Sequence, residues 1–162
     1  MARKSESFLY NRAVKTLLAE SDRQEILRRV ALLRADSPRQ WGRMTASQMV
    51  CHLSDSFRAA LGEKHVSSGT SFMKRTVMKN LALWVPLPWP HGVKTRPEVD
   101  AEKGGTRPQE FAADVAEFQI LFGRYCAARE FPPHPLFGSM SCKERVRWAY
   151  LHIDHHFRQF QV

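Results

Sequence analysis

The chain has little that would staple it, anchor it in a bilayer or mark a familiar nucleophile. Its three cysteines, Cys51, Cys126 and Cys142, are an odd number without a CxxC pair. They exclude a disulfide framework and a thiolate zinc site, and they read as free, buried thiols of a reducing compartment. No apolar run nears the roughly 18 residues that a membrane span needs. The basic opening Met1–Glu6 leads into no apolar segment either. A secretory signal and a membrane partner are therefore not expected, and a cytoplasmic location is. No GxSxG elbow, glycine-rich phosphate loop or HExxH occurs, and the carboxylates form no inward-facing pair.

What the chain does have is base: 25 Lys and Arg against 16 Asp and Glu, a formal net charge of +9. The bases are dispersed over several segments with no block of like charge, so the footprint of a nucleic-acid binder is missing. A positive field of this kind also suits small anionic substrates. The length of 162 residues and a hydrophobic fraction of 43% fit one domain, 1–162, with a sizeable core. Residues 1–20 read as an extra helix or a flexible arm.

Four segments carry apolar residues at helical period behind a capping signal. Ser21 with Gln24 precedes Ile26, Val30 and Leu33, and Thr45 with Gln48 precedes Met49, Val50, Leu53, Phe57 and Ala60. Thr106 with Gln109 leads into Phe111, Val115, Phe118, Leu121, Phe122 and Tyr125. Ser141 with Glu144 leads into Val146, Ala149, Tyr150, Ile153, Phe157 and Phe160. The pattern predicts an all-α fold, an antiparallel four-helix bundle, with a long crossover between the second and third helices. Residues 72–84 within that crossover read as one more helix or helical turn. The prolines at 86, 88 and 90 then force an extended loop, which Trp89 is expected to anchor.

The chemistry concentrates at the end of the chain. Three of the seven histidines, His152, His155 and His156, lie within five residues of one helical segment. At about 100° per residue, His156 lies roughly 70° and His152 roughly 110° from the centre of the apolar face, on the same side. His155 falls nearly opposite that face and is expected in water. On the second helix His52 lies roughly 115° from the apolar centre, beside Gln48, Ser56 and Ala59. Two helices thus each bring imidazole to the rim of the core, where a partly open site for zinc, nickel or iron would be built. Gln48, Gln159 and Asp154 are candidate partners of the ligands, although Asp154 points away by phase. Ser56 and Trp148 are candidate pocket walls. His65 and His91 fall in loops, and His134 between Pro133 and Pro135 reads as a loop-packing residue.

Trp41-Gly42-Arg43-Met44-Thr45-Ala46-Ser47-Gln48-Met49-Val50-Cys51-His52-Leu53 resembles the start of the second helix in the DinB-like superfamily, including its Gln-x-x-x-His pattern. His134-Pro135-Leu136-Phe137-Gly138 and the segment from Leu151-His152 through His156-Phe157-Arg158-Gln159-Phe160 are similar to a bacterial branch of it. So is the crossover with Pro90-His91-Gly92 and Thr95. The resemblance covers most of the chain from about Trp41. It implies a four-helix bundle holding a divalent metal between His52, His152 and His156, the trio that helical phase selects. It also implies a metal-dependent transferase or hydrolase acting on a small molecule, with a low-molecular-weight thiol such as bacillithiol or mycothiol as a further partner. His155 adds a donor within reach, so an i, i+3 pairing with His152 stays open. The rivals are a non-catalytic metal or interaction module, dimeric through a helix face, and a basic nucleic-acid binder.

Overall fold

The computed structural model describes residues 14–162, and the proposed N-terminal arm lies outside that range up to residue 13. The described chain is all-helical: α1 (Glu20–Leu32), α2 (Ala46–Ala60), α3 (Lys79–Trp84), α4 (Phe111–Ala127) and α5 (Cys142–Arg158). A π-helical turn, Lys74–Met78, runs directly into α3, and a 3-10 turn, Pro97–Val99, interrupts the crossover. Among the described residues the only β-pairing is an isolated bridge between His134 and Gly138. Among the described residues no helix is long and apolar enough to cross a membrane.

α2 lies along α4, while α1 and α3 both pack on α5. The apolar residues expected from periodicity meet in one core. Ile26, Val30, Phe57, Phe118, Tyr125, Ile153 and Phe157 are all nearly inaccessible. Phe57 contacts the rings of Phe118, Phe122 and Tyr125, so the α2–α4 seam is aromatic. Such seams combine large buried area with edge-to-face ring attraction.

Two of the four expected caps form as the sequence predicts. The Thr45 hydroxyl accepts from Gln48 N at 3.2 Å while Gln48 Oε1 accepts from Thr45 N at 2.9 Å. Ser141 and Glu144 make the same reciprocal pair at the head of α5. Removing the latter by Ser141→Ala is expected to cost about 1 kcal/mol, seen in thermal unfolding as a Tm lower by about 2–4 °C.

The other two caps differ. α1 begins at Glu20, so Ser21 lies inside it. The approach is fixed instead by Asp22, which accepts from Thr16 N, and by Arg23, which donates to the Leu17 and Leu18 carbonyls. α4 begins at Phe111 under a Glu110 cap, because Thr106 is bonded to Asp55 on α2. The thiols also differ from expectation: Cys51 is buried, Cys126 half-buried and Cys142 exposed at the first turn of α5.

Candidate metal centre

The capped α2 and α5 bring His52, His152 and His156 together. Their ligand atoms all lie within 4.8 Å of one another. The ring centroids form a nearly equilateral triangle with sides of 5.1, 4.8 and 4.9 Å, and each ring stands steeply to the others.

The hydrogen bonds fix which nitrogen each ring presents. His52 Nδ1 lies 2.9 Å from the carbonyl of Val99, in the 3-10 turn of the crossover. A carbonyl only accepts, so Nδ1 carries the proton and Nε2 is a lone pair. The same logic runs through Gln159. Its Nε2 donates to the Trp41 carbonyl at 2.7 Å, which orients the amide so that Oε1 faces His156 Nδ1 at 3.1 Å. His156 is thereby a donor at Nδ1 and a lone pair at Nε2. Gly42 makes this chain of contacts sterically open. It has φ of +77°, and a Cβ there would stand 2.6 Å from Gln159 Nε2. Gly42→Ala is therefore expected to unseat Gln159 and weaken metal affinity about 10–100-fold, the scale for losing a ligand's supporting partner. Titration of metal against wild type and variant checks it.

His52 Nε2 lies 3.2 Å from His152 Nε2. Two lone pairs repel at that distance, so the contact is closed either by a proton on His152 or by a cation between them. A tetrahedral ion with bonds of about 2.0–2.1 Å sets neighbouring ligand atoms about 3.3 Å apart, so the spacing fits one. The third ring, His156, brings its ligand atom within 4.8 Å of the other two.

The electrostatics favour neutral rings, which metal ligation requires. Burial lowers the pKa of His52, against the opposing effect of the Val99 hydrogen bond. Burial, followed by the adjoining histidines, holds His152 and His156 well below the ordinary imidazole value. A site that resists a proton in this way still accepts a cation that brings its own coordination bonds.

The surroundings sort the remaining candidates. Trp148 stacks on His152 at 4.7 Å and 30°, as a wall of the centre. Gln159 supports His156, as described. Gln48 and Ser56 do not reach the trio. Gln48 is occupied by its capping box and a 3.4 Å contact to Glu102, and Ser56 Oγ donates to the His52 carbonyl. Asp154 points away as phase predicts, pairing with Arg29 and Arg158.

His155 is half-buried rather than solvated, because Trp41, Trp89 and His91 from the loops fold over its face of α5. It lies outside the converging trio. Trp89 anchors the crossover by donating to the Ala82 carbonyl, and its ring lies 6.3 Å from His152. A cleft of about 40 Å³ opens between Trp41, Trp89, His91 and His155, room for about one or two waters.

His134 packs its loop as the sequence suggests, and it also joins a second layer that sequence reasoning missed. His134 is buried, and its Nδ1 accepts from the backbone N–H groups of Leu136 and Phe137, so Nε2 carries the proton. Its ring meets the edge of Trp148, the same Trp148 that stacks on His152. The loop containing His134-Pro135-Leu136-Phe137-Gly138 thus sets the position of one wall. Burial lowers the His134 pKa to about 3, so the ring stays neutral. The signal for this role was the histidine between two prolines, but its partner on α5 was not encoded locally.

No family model, curated protein or solved structure matches the chain.

Proposed function

We propose that this chain is a divalent-metal protein of the DinB-like type, with α1, α2, α4 and α5 as the four helices of the bundle. His52, His152 and His156 hold one zinc, nickel or ferrous ion in a cytoplasmic enzyme that transfers a thiol to, or hydrolyses, a small molecule. The reading is carried by one observation: two of three converging imidazoles have their Nδ1 atoms fixed by a carbonyl and an oriented amide. Surface histidines that meet by chance have no reason to be locked in the ligating tautomer. An ion bound there supplies Lewis acidity that makes water or a thiol nucleophilic near neutral pH. The protein side orients the rings and walls the site with Trp148 and Trp89, on a chain of net positive charge.

The thiol of Cys51 is not the nucleophile in this reading. Burial raises its pKa to about 12, so it stays protonated.

The alternative is a metal module without chemistry. The two separate by experiment. Metal-loaded protein that consumes a low-molecular-weight thiol with an electrophilic substrate, and loses this with His152→Ala, is the enzyme. Retention of one ion per chain with no turnover across thiol and ester substrates assigns the passive module. Failure of reloaded wild type to retain any ion sinks both.

A further inference from the structure

The segment joining α2 to α4 has a face that the site does not use. Its helical part packs on α5 along one side only: Leu83 is fully buried, Lys79 pairs with Glu144 at 2.7 Å, and Arg147 donates to the Leu83 carbonyl. The other side turns large apolar residues to solvent. Phe72 is 75% exposed, Leu81 56% and Leu87 71%, with Met73, Val77 and Trp84 about half exposed. Monomeric proteins rarely expose so many large apolar side chains on one element without a partner.

The charge along this segment is of one sign. From Lys64 to Pro97 the chain contains no Asp or Glu, while Lys64, Lys74, Arg75, Lys79, Lys94 and Arg96 are all basic. Two of these are neutralised across the fold, Lys64 by Asp55 and Lys79 by Glu144. Lys74 donates to the Gly69 carbonyl, whereas the exposed Arg75 and Lys94 have no carboxylate within ion-pair distance among the described residues.

We propose that this face docks the protein on an anionic lipid bilayer, with the π-helical turn and α3 lying in the interface. The side chains of Phe72, Leu81 and Trp84 enter the headgroup boundary, and Arg75 and Lys94 meet the lipid phosphates. An apolar stripe flanked by bases is the pattern of helices that lie in a membrane surface. A second copy of the chain fits less well, because a two-fold contact would set the same uncompensated bases against each other. Nucleic acid would use the bases but leave Phe72, Leu81 and Leu87 without partners. The sequence expectation of no membrane partner followed from the lack of a spanning segment, and lying on a bilayer needs none.

The test is sedimentation with vesicles of phosphatidylcholine alone and with roughly one quarter phosphatidylglycerol, a charge density that attracts polybasic surfaces. Wild type is expected to sediment with the anionic vesicles and stay in solution with the neutral ones. Phe72→Ser with Leu81→Gln is expected to weaken binding by at least about tenfold. Arg75→Gln and Lys94→Gln are each expected to weaken it about fivefold at low salt. Both positions of the double variant are exposed, and circular dichroism checks that it folds. The wild-type lipid comparison stands even if it does not. Wild type that stays in solution with anionic vesicles overturns the proposal. So does binding undiminished in the double variant, or a wild-type dimer that the double variant converts to monomer.

Discussion

Stripped protein reloaded with zinc is expected to hold about one ion per chain and to unfold at a higher temperature, and His52→Ala is expected to do neither. At free ion about 100-fold above Kd, linkage gives about 2.7 kcal/mol of stabilisation. For a chain of 162 residues that corresponds to a Tm raised by roughly 5–10 °C. His152→Ala and His156→Ala should behave as His52→Ala, because two imidazoles leave too few protein ligands to retain an ion against a chelator. His155→Ala should keep both the ion and the shift, since His155 lies outside the trio. Loss of metal in His155→Ala with retention in His156→Ala would mean that the i, i+3 pairing holds the ion instead.

Each alanine also removes buried packing, so the reading is the difference with and without metal within one variant. The low pKa of the trio adds a second signature. Because burial, joined at His152 and His156 by neighbouring imidazoles, lowers the pKa of all three rings below the ordinary value of 6.5, protons compete with metal only at lower pH than they do for free imidazole. A titration of metal release against pH, followed by a chelating dye, measures that displacement.

The candidate trio was legible because α2 and α5 are regular and begin where their capping boxes put them. With Thr45 and Ser141 fixing the starts, phase along each helix decides which histidines turn together. The same reasoning failed for His155, whose burial comes from Trp41, Trp89 and His91 on loops that periodicity does not trace. Caps were legible only when their partners were local. Thr106 looked like a cap and is instead held by a carboxylate 51 residues away. Gln48 and Gln159 were equal candidates by phase. The structure separates them because Gln48 has a use at its own helix end, while Gln159 is oriented by a carbonyl more than a hundred residues upstream. The role of His134 was hidden for the same reason: its contact to Trp148 joins a proline-bounded loop to α5. Helix identity, core face and the converging histidine trio were thus written in local pattern, and the contacts that orient its rings were written in loop geometry.

Asp55→Ala is expected to be among the most destabilising single changes, about 3 kcal/mol. Asp55 sits on α2 one turn beyond His52 and is 1% exposed. Its two oxygens accept from Thr106 N and Thr106 Oγ1, both at 2.7 Å, from Lys64 Nζ at 3.0 Å and from Arg58 at 3.1 Å. Both ends of the crossover, near Lys64 and near Thr106, are therefore tied to the one carboxylate. Burial acts to raise the Asp55 pKa, but the Thr106 and Lys64 hydrogen bonds outweigh it and the net shift is downward. The sign follows from linkage. The unfolded chain takes up its proton first, near pH 4, so this stabilisation is complete above that pH and is lost as pH falls through the folded value. Asp55→Asn keeps the shape and removes the charge, and should cost roughly 1–2 kcal/mol at pH 7. Urea unfolding at pH 7 and pH 3 measures both effects. The gap between wild type and Asp55→Asn should narrow in acid, because the unfolded chain is protonated there and the folded carboxylate keeps its charge only at a cost in stability. A gap of equal size at both values would show that the amide fails on shape and that the charge network contributes nothing. Because Val99, which fixes His52, lies between the two tied ends, Asp55→Ala should also weaken metal binding, whereas a core deletion distant from the crossover should lower stability alone.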